Sequence, residues 1–197
     1  MIANVINTIE MELTQTFDEL FKWFNAGDEL MHYSPNSKGW SVRKILEHVS
    51  LTNHYLLILI RKGTIKAIQK SKQANYTTML GDYDLDWERM KVIGRHKSFQ
   101  ISPLPEGTGQ ARRPGHMEPR GKRPMAEIKY HLQLQLKECL ELLHQIEGGE
   151  GVLYKTMMSV NNMGKIDVYH YIYFLVQHAK RHITQMERVE IEFNLGI

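Results

Sequence analysis

The chain reads as an all-α protein built on four main helices in one domain, and three observations lead there. Apolar residues recur at steps of three and four in four separate stretches. No stretch alternates apolar and polar residues in the manner of a half-buried strand. Each stretch is bounded by start or stop signals, namely Gly27, Ser41, the Gly148-Gly149 pair and Asp167. With 197 residues and 42% hydrophobic side chains, the chain can fill one core and is small for two, so residues 1–197 are read as a single domain.

The first helix carries Ile2, Val5, Ile6, Ile9, Leu13, Phe17, Leu20, Phe21 and Phe24 on one face, with Asn7, Glu10, Glu12, Asp18 and Lys22 between them. Gly27 stops it. A turn-rich passage from His32 to Gly39 follows. Ser41 then supplies an N-cap, and Trp40 and Ile45 have the spacing of a hydrophobic staple. The second helix runs through Val42, Ile45, Leu46, Val49, Leu56 and Leu59 and is expected to end near Gly63, with Thr64 to Gln73 either prolonging or following it. Leu85 to Ile93 has the pattern of a short helix. Residues 94–124 are an irregular excursion, and from Ser102 to Pro124 they are dense in proline and glycine. The third helix reads Met125, Ile128, Leu132, Leu136, Cys139, Leu140, Leu143 and Ile146. After an irregular passage to Lys165, Asp167 caps a fourth helix along Val168, Ile172, Leu175, Ala179, His182, Met186 and Val189, with Ile166 and Tyr171 at staple spacing. A connection as long as Thr64 to Pro124 can cross a bundle, so the second and third helices need not be antiparallel.

Composition excludes several classes of function. The longest apolar run, Tyr55 to Ile60, is far short of a membrane span. The N-terminal stretch lacks a basic region and a small-residue cleavage site, and with one cysteine the expected address is cytoplasmic. That single residue, Cys139, removes disulfide frameworks, paired-cysteine redox chemistry and a cysteine-based zinc site. It lies on the apolar side of the third helix and reads as core packing. A net charge of +3 gives weak grounds for a nucleic-acid partner. The irregular stretch does hold Arg89, Lys91, Arg95, Lys97, Arg112, Arg113, Arg120, Lys122 and Arg123, but aromatics are scarce and no nucleic-acid motif accompanies them, so a solvated loop is expected.

Ten histidines are the unusual feature. His178 and His182 stand at i and i+4, on one helix face a turn apart, where two neutral imidazoles can share a cation. Spacing alone is weak evidence, because histidines this frequent pair by chance. Placement says more. His182 falls in the apolar seam with Leu175, Ala179 and Met186, and a buried imidazole needs partners for both ring nitrogens. His48, three residues after Ile45 on the second helix, has a phase that allows it to face inward, although taken singly it reads more simply as a partly buried surface histidine. One histidine opposed to an i,i+4 pair would leave a coordination position open for water or substrate. The alternative is that each is a satisfied core or boundary histidine. His54 points away from His48. His131 and His144 are expected at the surface, and His32, His96, His116 and His170 in loops or at a helix start, with nothing pairing them. Gln185 shares the face of the histidine pair, either contacting the site or sitting at its polar rim. Arg181 is expected at the rim, and Tyr55 is a candidate pocket residue.

The run Gly39-Trp40-Ser41 leading to Leu46-Glu47-His48 resembles the DinB/YfiT-like superfamily. So does Tyr171-Ile172-Tyr173-Phe174 before His178-Ala179-Lys180-Arg181-His182 and Gln185, and the likeness spans essentially the whole chain. The resemblance implies a four-helix bundle of up-down-down-up topology, with the long excursion between helices two and three. It implies a divalent metal, zinc or nickel foremost, held by His48, His178 and His182. Relatives include thiol-dependent S-transferases and proteins described as metal-dependent hydrolases. The expected activity is therefore activation of a thiol or water towards a small-molecule substrate, with a low-molecular-weight thiol as cosubstrate. Family members often pair as homodimers, which the periodicities neither require nor exclude. The competing reading is a non-catalytic metal- or ligand-binding bundle with a stress-related or interaction role.

Overall fold

A computed structural model of the chain describes residues 2–35, 39–95 and 117–196, and these are mostly helical. Helix α1 (Ile2–Lys22) buries Val5, Ile6, Ile9, Leu13, Phe17 and Leu20 at the expected spacing and tightens into a 3-10 turn over Trp23–Asn25. A one-turn helix, α2 (Asp28–His32), then fills the stretch between Gly27 and the turn-rich passage, which it overlaps only at His32. Helix α3 (Val42–Ser71) starts at Ser41, whose hydroxyl accepts from the Lys44 amide at 3.5 Å. Two short helices follow, α4 (Thr77–Gly81) and α5 (Trp87–Gly94), the second capped by Asp86 accepting from the Arg89 amide at 3.2 Å. After α6 (Met125–His144) come the strands β1 (Lys155–Met158) and β2 (Gly164–Asp167), and then α7 (Val168–Leu195).

Two expectations need correction. Helix α3 does not end near Gly63 but runs through it to Ser71. The missing side chain serves packing rather than termination: a Cβ on Gly63 would stand 3.0 Å from Val168 Cγ2 and 3.5 Å from the Tyr154 ring. Glycine costs a helix interior about 1 kcal/mol, a cost offset where it lets a neighbouring element approach. The second correction is the antiparallel β1–β2 hairpin, in a passage read as irregular. Its strands are four residues each, and burial along β1 runs exposed, half-buried, exposed, buried, too short a run for alternation to register. The turn chemistry was the available signal. Asn161 and Asn162 both take positive φ (48° and 53°), a region that asparagine tolerates better than most residues.

Buried side chains from all the longer elements form one hydrophobic cluster. Helix α7 lies at its centre, packed against α1, α3 and α5, while α6 packs on α1 and α3. This explains why every residue from Val168 to Ala179 except His170 is buried. A helix covered on several sides buries residues beyond the apolar stripe that its periodicity marks. Its start is fixed by Asp167, whose carboxylate accepts from the His170 amide at 3.1 Å and from the Tyr83 hydroxyl at 2.9 Å. Among the described residues no helix is long and apolar enough to cross a membrane.

Candidate metal centre

Helical phase brings His178 and His182 to one side of α7, where they are 2% and 5% exposed. Their Nε2 atoms stand 3.1 Å apart. From α3, half-buried His48 completes the group, its ring centroid 4.8 Å from that of His182 and 5.4 Å from that of His178. One ring nitrogen from each of the three lies within 4.8 Å of the others. Four ligands at metal–nitrogen distances of about 2.0–2.1 Å in tetrahedral array stand about 3.3 Å apart. The His178–His182 separation already matches that edge, and a nitrogen of the third ring stands within 4.8 Å of both. These three side chains can therefore hold a metal ion.

Hydrogen bonds set which nitrogen of each ring is available. A carbonyl oxygen only accepts, so the 2.8 Å contact between His48 Nδ1 and the Met117 carbonyl puts the proton of neutral His48 on Nδ1. The 2.9 Å contact from His182 Nδ1 to Gln185 Oε1 does the same for His182. Both rings thereby keep a lone pair on Nε2. Outer partners of this kind fix the tautomer and orientation of metal-ligating imidazoles in general. A neutral His178 donates its Nε2 proton into the His182 lone pair, and a cation shared by the three rings would take the place of that proton. Burial, reinforced by His182, His48 and Arg181, holds the His178 pKa well below the usual histidine range, so this ring stays neutral where exposed imidazoles protonate. The Thr52 hydroxyl, one turn along α3, lies 3.4 Å from His48 Nε2.

Apolar and aromatic groups wall the cluster. The Trp40 ring packs 4.8 Å from that of His48, a role beyond the staple expected of it, and Phe174 stacks parallel to His178 at 6.3 Å. Arg181 donates from Nη1 to the Arg95 carbonyl at 3.0 Å, tying the end of α5 to α7 beside the histidine pair. Tyr55 stands two turns beyond His48 and packs edge-on to His54 at 5.3 Å.

The remaining histidines fall elsewhere. His54 is exposed, and His144, also at the surface, meets Glu10 at 3.3 Å. His131 is half-buried beside Tyr130. Contrary to expectation, His32 and His170 have partners: His32 meets Asp28, and His170 contacts the buried Asp167 at 2.8 Å. Local i,i+3 and i,i+4 pairing to an aspartate was legible in both cases. His96, His116, Lys97, Arg112 and Arg113 lie outside the described residues. Of the other basic-loop residues, Arg89 donates to the Asn162 carbonyl at 2.8 Å and Lys91 meets Glu88 at 3.4 Å.

Sequence reasoning missed the segment that supplies the Met117 carbonyl. It lies 69 positions from His48, and a backbone acceptor leaves no mark in residue identities. Among comparisons with known proteins, the family model of the DinB superfamily matches residues 12–186. No curated protein and no solved structure matches the chain.

Proposed function

The chain belongs to the DinB superfamily, and from that premise we propose that it is a divalent-metal-dependent enzyme with His48, His178 and His182 as its protein ligands. The observation carrying this reading is the convergence of three ring nitrogens within 4.8 Å, two of the rings having their outer nitrogens held by oxygen acceptors. Three neutral imidazoles suit zinc, nickel, copper and iron, and of these zinc or nickel is the ion that the family resemblance implies.

The proposal includes the finer architecture: one DinB-like domain with an insertion over residues 94–124, its four long helices arranged up, down, down, up. Contacts between helix ends support it. Arg43 near the start of α3 bonds the Arg123 carbonyl just before α6, and Lys70 near the end of α3 bonds the Leu153 carbonyl just after α6, so α3 and α6 run the same way. His48 meets His178 and His182, whereas Gly63 meets Val168, so α7 runs against α3. Glu10 meets His144 and Lys129 lies over the Phe24 ring, so α1 runs against α6. This arrangement sets His48, in the second turn of α3, against the pair in the middle of α7.

Three protein ligands leave room for an exogenous one, as at catalytic rather than closed structural sites. When bound, the ion supplies Lewis acidity, lowering the pKa of a thiol or water in that open position. The chain's own residues do the rest. Met117 and Gln185 keep the lone pairs of His48 and His182 directed inward. Trp40 packs on the His48 ring and Phe174 on the His178 ring, apolar surface that strengthens the electrostatics of the cluster. The reaction class is S-transfer from a small thiol or hydrolysis. Cys139 takes no part, since it is buried in the core and burial pushes its thiol pKa far up.

Elemental analysis of protein purified without a histidine tag should find stoichiometric zinc or nickel. His182→Ala should lose the metal while its far-ultraviolet circular dichroism stays helical. Full metal retention by that variant would remove the proposal. A wild-type centre that holds metal but admits no thiol or water by X-ray absorption would favour the non-catalytic bundle instead.

A further inference from the structure

Glutamate is among the residue types least often buried, yet Glu47, the neighbour of His48, is 3% exposed. Its side chain does not turn towards the histidines. It turns to the segment Met117–Arg123, which reaches α3 from far along the chain. Glu47 Oε2 accepts the Gly121 amide at 2.5 Å, and its other oxygen faces Arg123 Nε at 4.0 Å. One turn earlier, Arg43 spans the same segment, donating from Nε to the Gly121 carbonyl at 2.9 Å and from Nη2 to the Arg123 carbonyl at 2.6 Å. Gly121 therefore has both its amide and its carbonyl bonded to α3. It takes a positive φ of 70° and sits over the Lys44 stem, where a Cβ would meet Lys44 Cε at 3.3 Å.

The same segment carries the Met117 carbonyl that accepts from His48 Nδ1 at 2.8 Å. Glu47 and Arg43 grip the segment at Gly121 and Arg123, and His48 meets it four residues before Gly121. All three lie within two turns of α3. A buried carboxylate bonded to a backbone amide is costly to form and strongly geometry-selective, which suits a fastening more than a source of net stability.

We propose that Glu47 and Arg43 are positioning residues for the metal centre: by clamping the Met117–Arg123 segment on α3 they hold the Met117 carbonyl where it keeps the proton of His48 on Nδ1 and its Nε2 lone pair turned to the other two rings. The inference rests on His48 being a ligand. Its first readout needs no metal, so the two readings fail separately. Removing the clamp frees the carbonyl, and His48 then samples both tautomers, one of which presents N–H to the site. Loss of an outer partner of a ligating histidine typically weakens metal binding by about 10- to 100-fold.

The test uses the full chain, wild type against Glu47→Ala, Glu47→Gln and Arg43→Met. Long-range nitrogen–proton spectra of the metal-stripped proteins report each imidazole tautomer, with the His48 signal identified by its loss in His48→Ala. Competition against a chromophoric chelator reports zinc affinity. Wild type should show His48 as the Nδ1–H tautomer. Glu47→Ala should move that signal towards a mixture and weaken zinc by at least about 10-fold, leaving the His178 tautomer as it was. Glu47→Gln keeps an oxygen for the Gly121 amide and should restore the tautomer and bring affinity to within about threefold of wild type. An unmoved His48 tautomer in Glu47→Ala overturns the clamp whatever zinc does, and a moved tautomer with wild-type affinity overturns its link to the metal. Should Glu47→Ala not fold, Arg43→Met decides by the same two readouts. If wild type binds no zinc or nickel, the proposed function falls, and the tautomer measurement still decides the clamp.

Discussion

Gln185 offers the most direct quantitative test of the centre. In Gln185→Ala the acceptor 2.9 Å from His182 Nδ1 is removed. The ring is 5% exposed, so bulk water does not step in freely. Two costs follow. The bound state loses a hydrogen bond that strengthens as the imidazole donates electrons to a cation, and the metal-free state gains the wrong tautomer, with its proton on the ligating nitrogen. Together these amount to about 10- to 100-fold in affinity, or roughly 1.4–2.7 kcal/mol. Gln185→Glu separates this from loss of packing, since a carboxylate accepts the same proton at least as well and should bind metal no more weakly than wild type. The assay is chelator competition at neutral pH, with metal-free thermal unfolding as a control on the fold. Wild-type affinity in Gln185→Ala would mean that the contact does not orient a ligand, and the assignment of His182 to the site through Nε2 would have to be given up.

Three further outcomes follow from the packing and the charges. Because burial holds His178 below its unfolded value of 6.5, the unfolded chain takes up a proton that the folded ring refuses as pH falls past that value. The contribution is intact above it and lost below it, at up to about 1.4 kcal/mol per pH unit. Urea unfolding of metal-stripped protein at about pH 7.5 and about pH 5.5 should show the loss, and His178→Asn should flatten it; equal wild-type stability at both values refutes the account. Gly63→Val places a side chain on a Cβ position 3.0 Å from Val168 Cγ2 and should cost about 1–3 kcal/mol in urea unfolding, whereas an unchanged midpoint would show that α3 and β2–α7 part easily. The Cys139 thiol, buried and pushed up in pKa, should resist a thiol-specific reagent in folded protein and react fully in denaturant; rapid labelling of the native chain would contradict its place in the core.

Much of this molecule was legible in residue order. Local rules located the starts of α3 and α7 at Ser41 and Asp167, because capping involves groups three residues apart. The i,i+4 step of His178 and His182 set two rings on one face by helix geometry alone. Helix phase after Ile45 offered His48 as a third, and a family-like pattern of residues singled it out. Besides the β1–β2 hairpin, three kinds of fact escaped. Gly63 looked like a helix stop, since nothing nearby in sequence shows that Val168 needs the space. Continuous burial from Tyr171 to Ala179 reflects α5 lying over α7, a neighbour that one-sided periodicity does not foresee. The outer shell of the candidate centre was also hidden. Sequence determines what each helix offers to one side, because side-chain direction follows from a repeat of 3.6 residues. Only tertiary structure decides which backbone carbonyl, far along the chain, comes to rest against His48, because a peptide oxygen is the same in every residue and its position depends on how the whole chain closes.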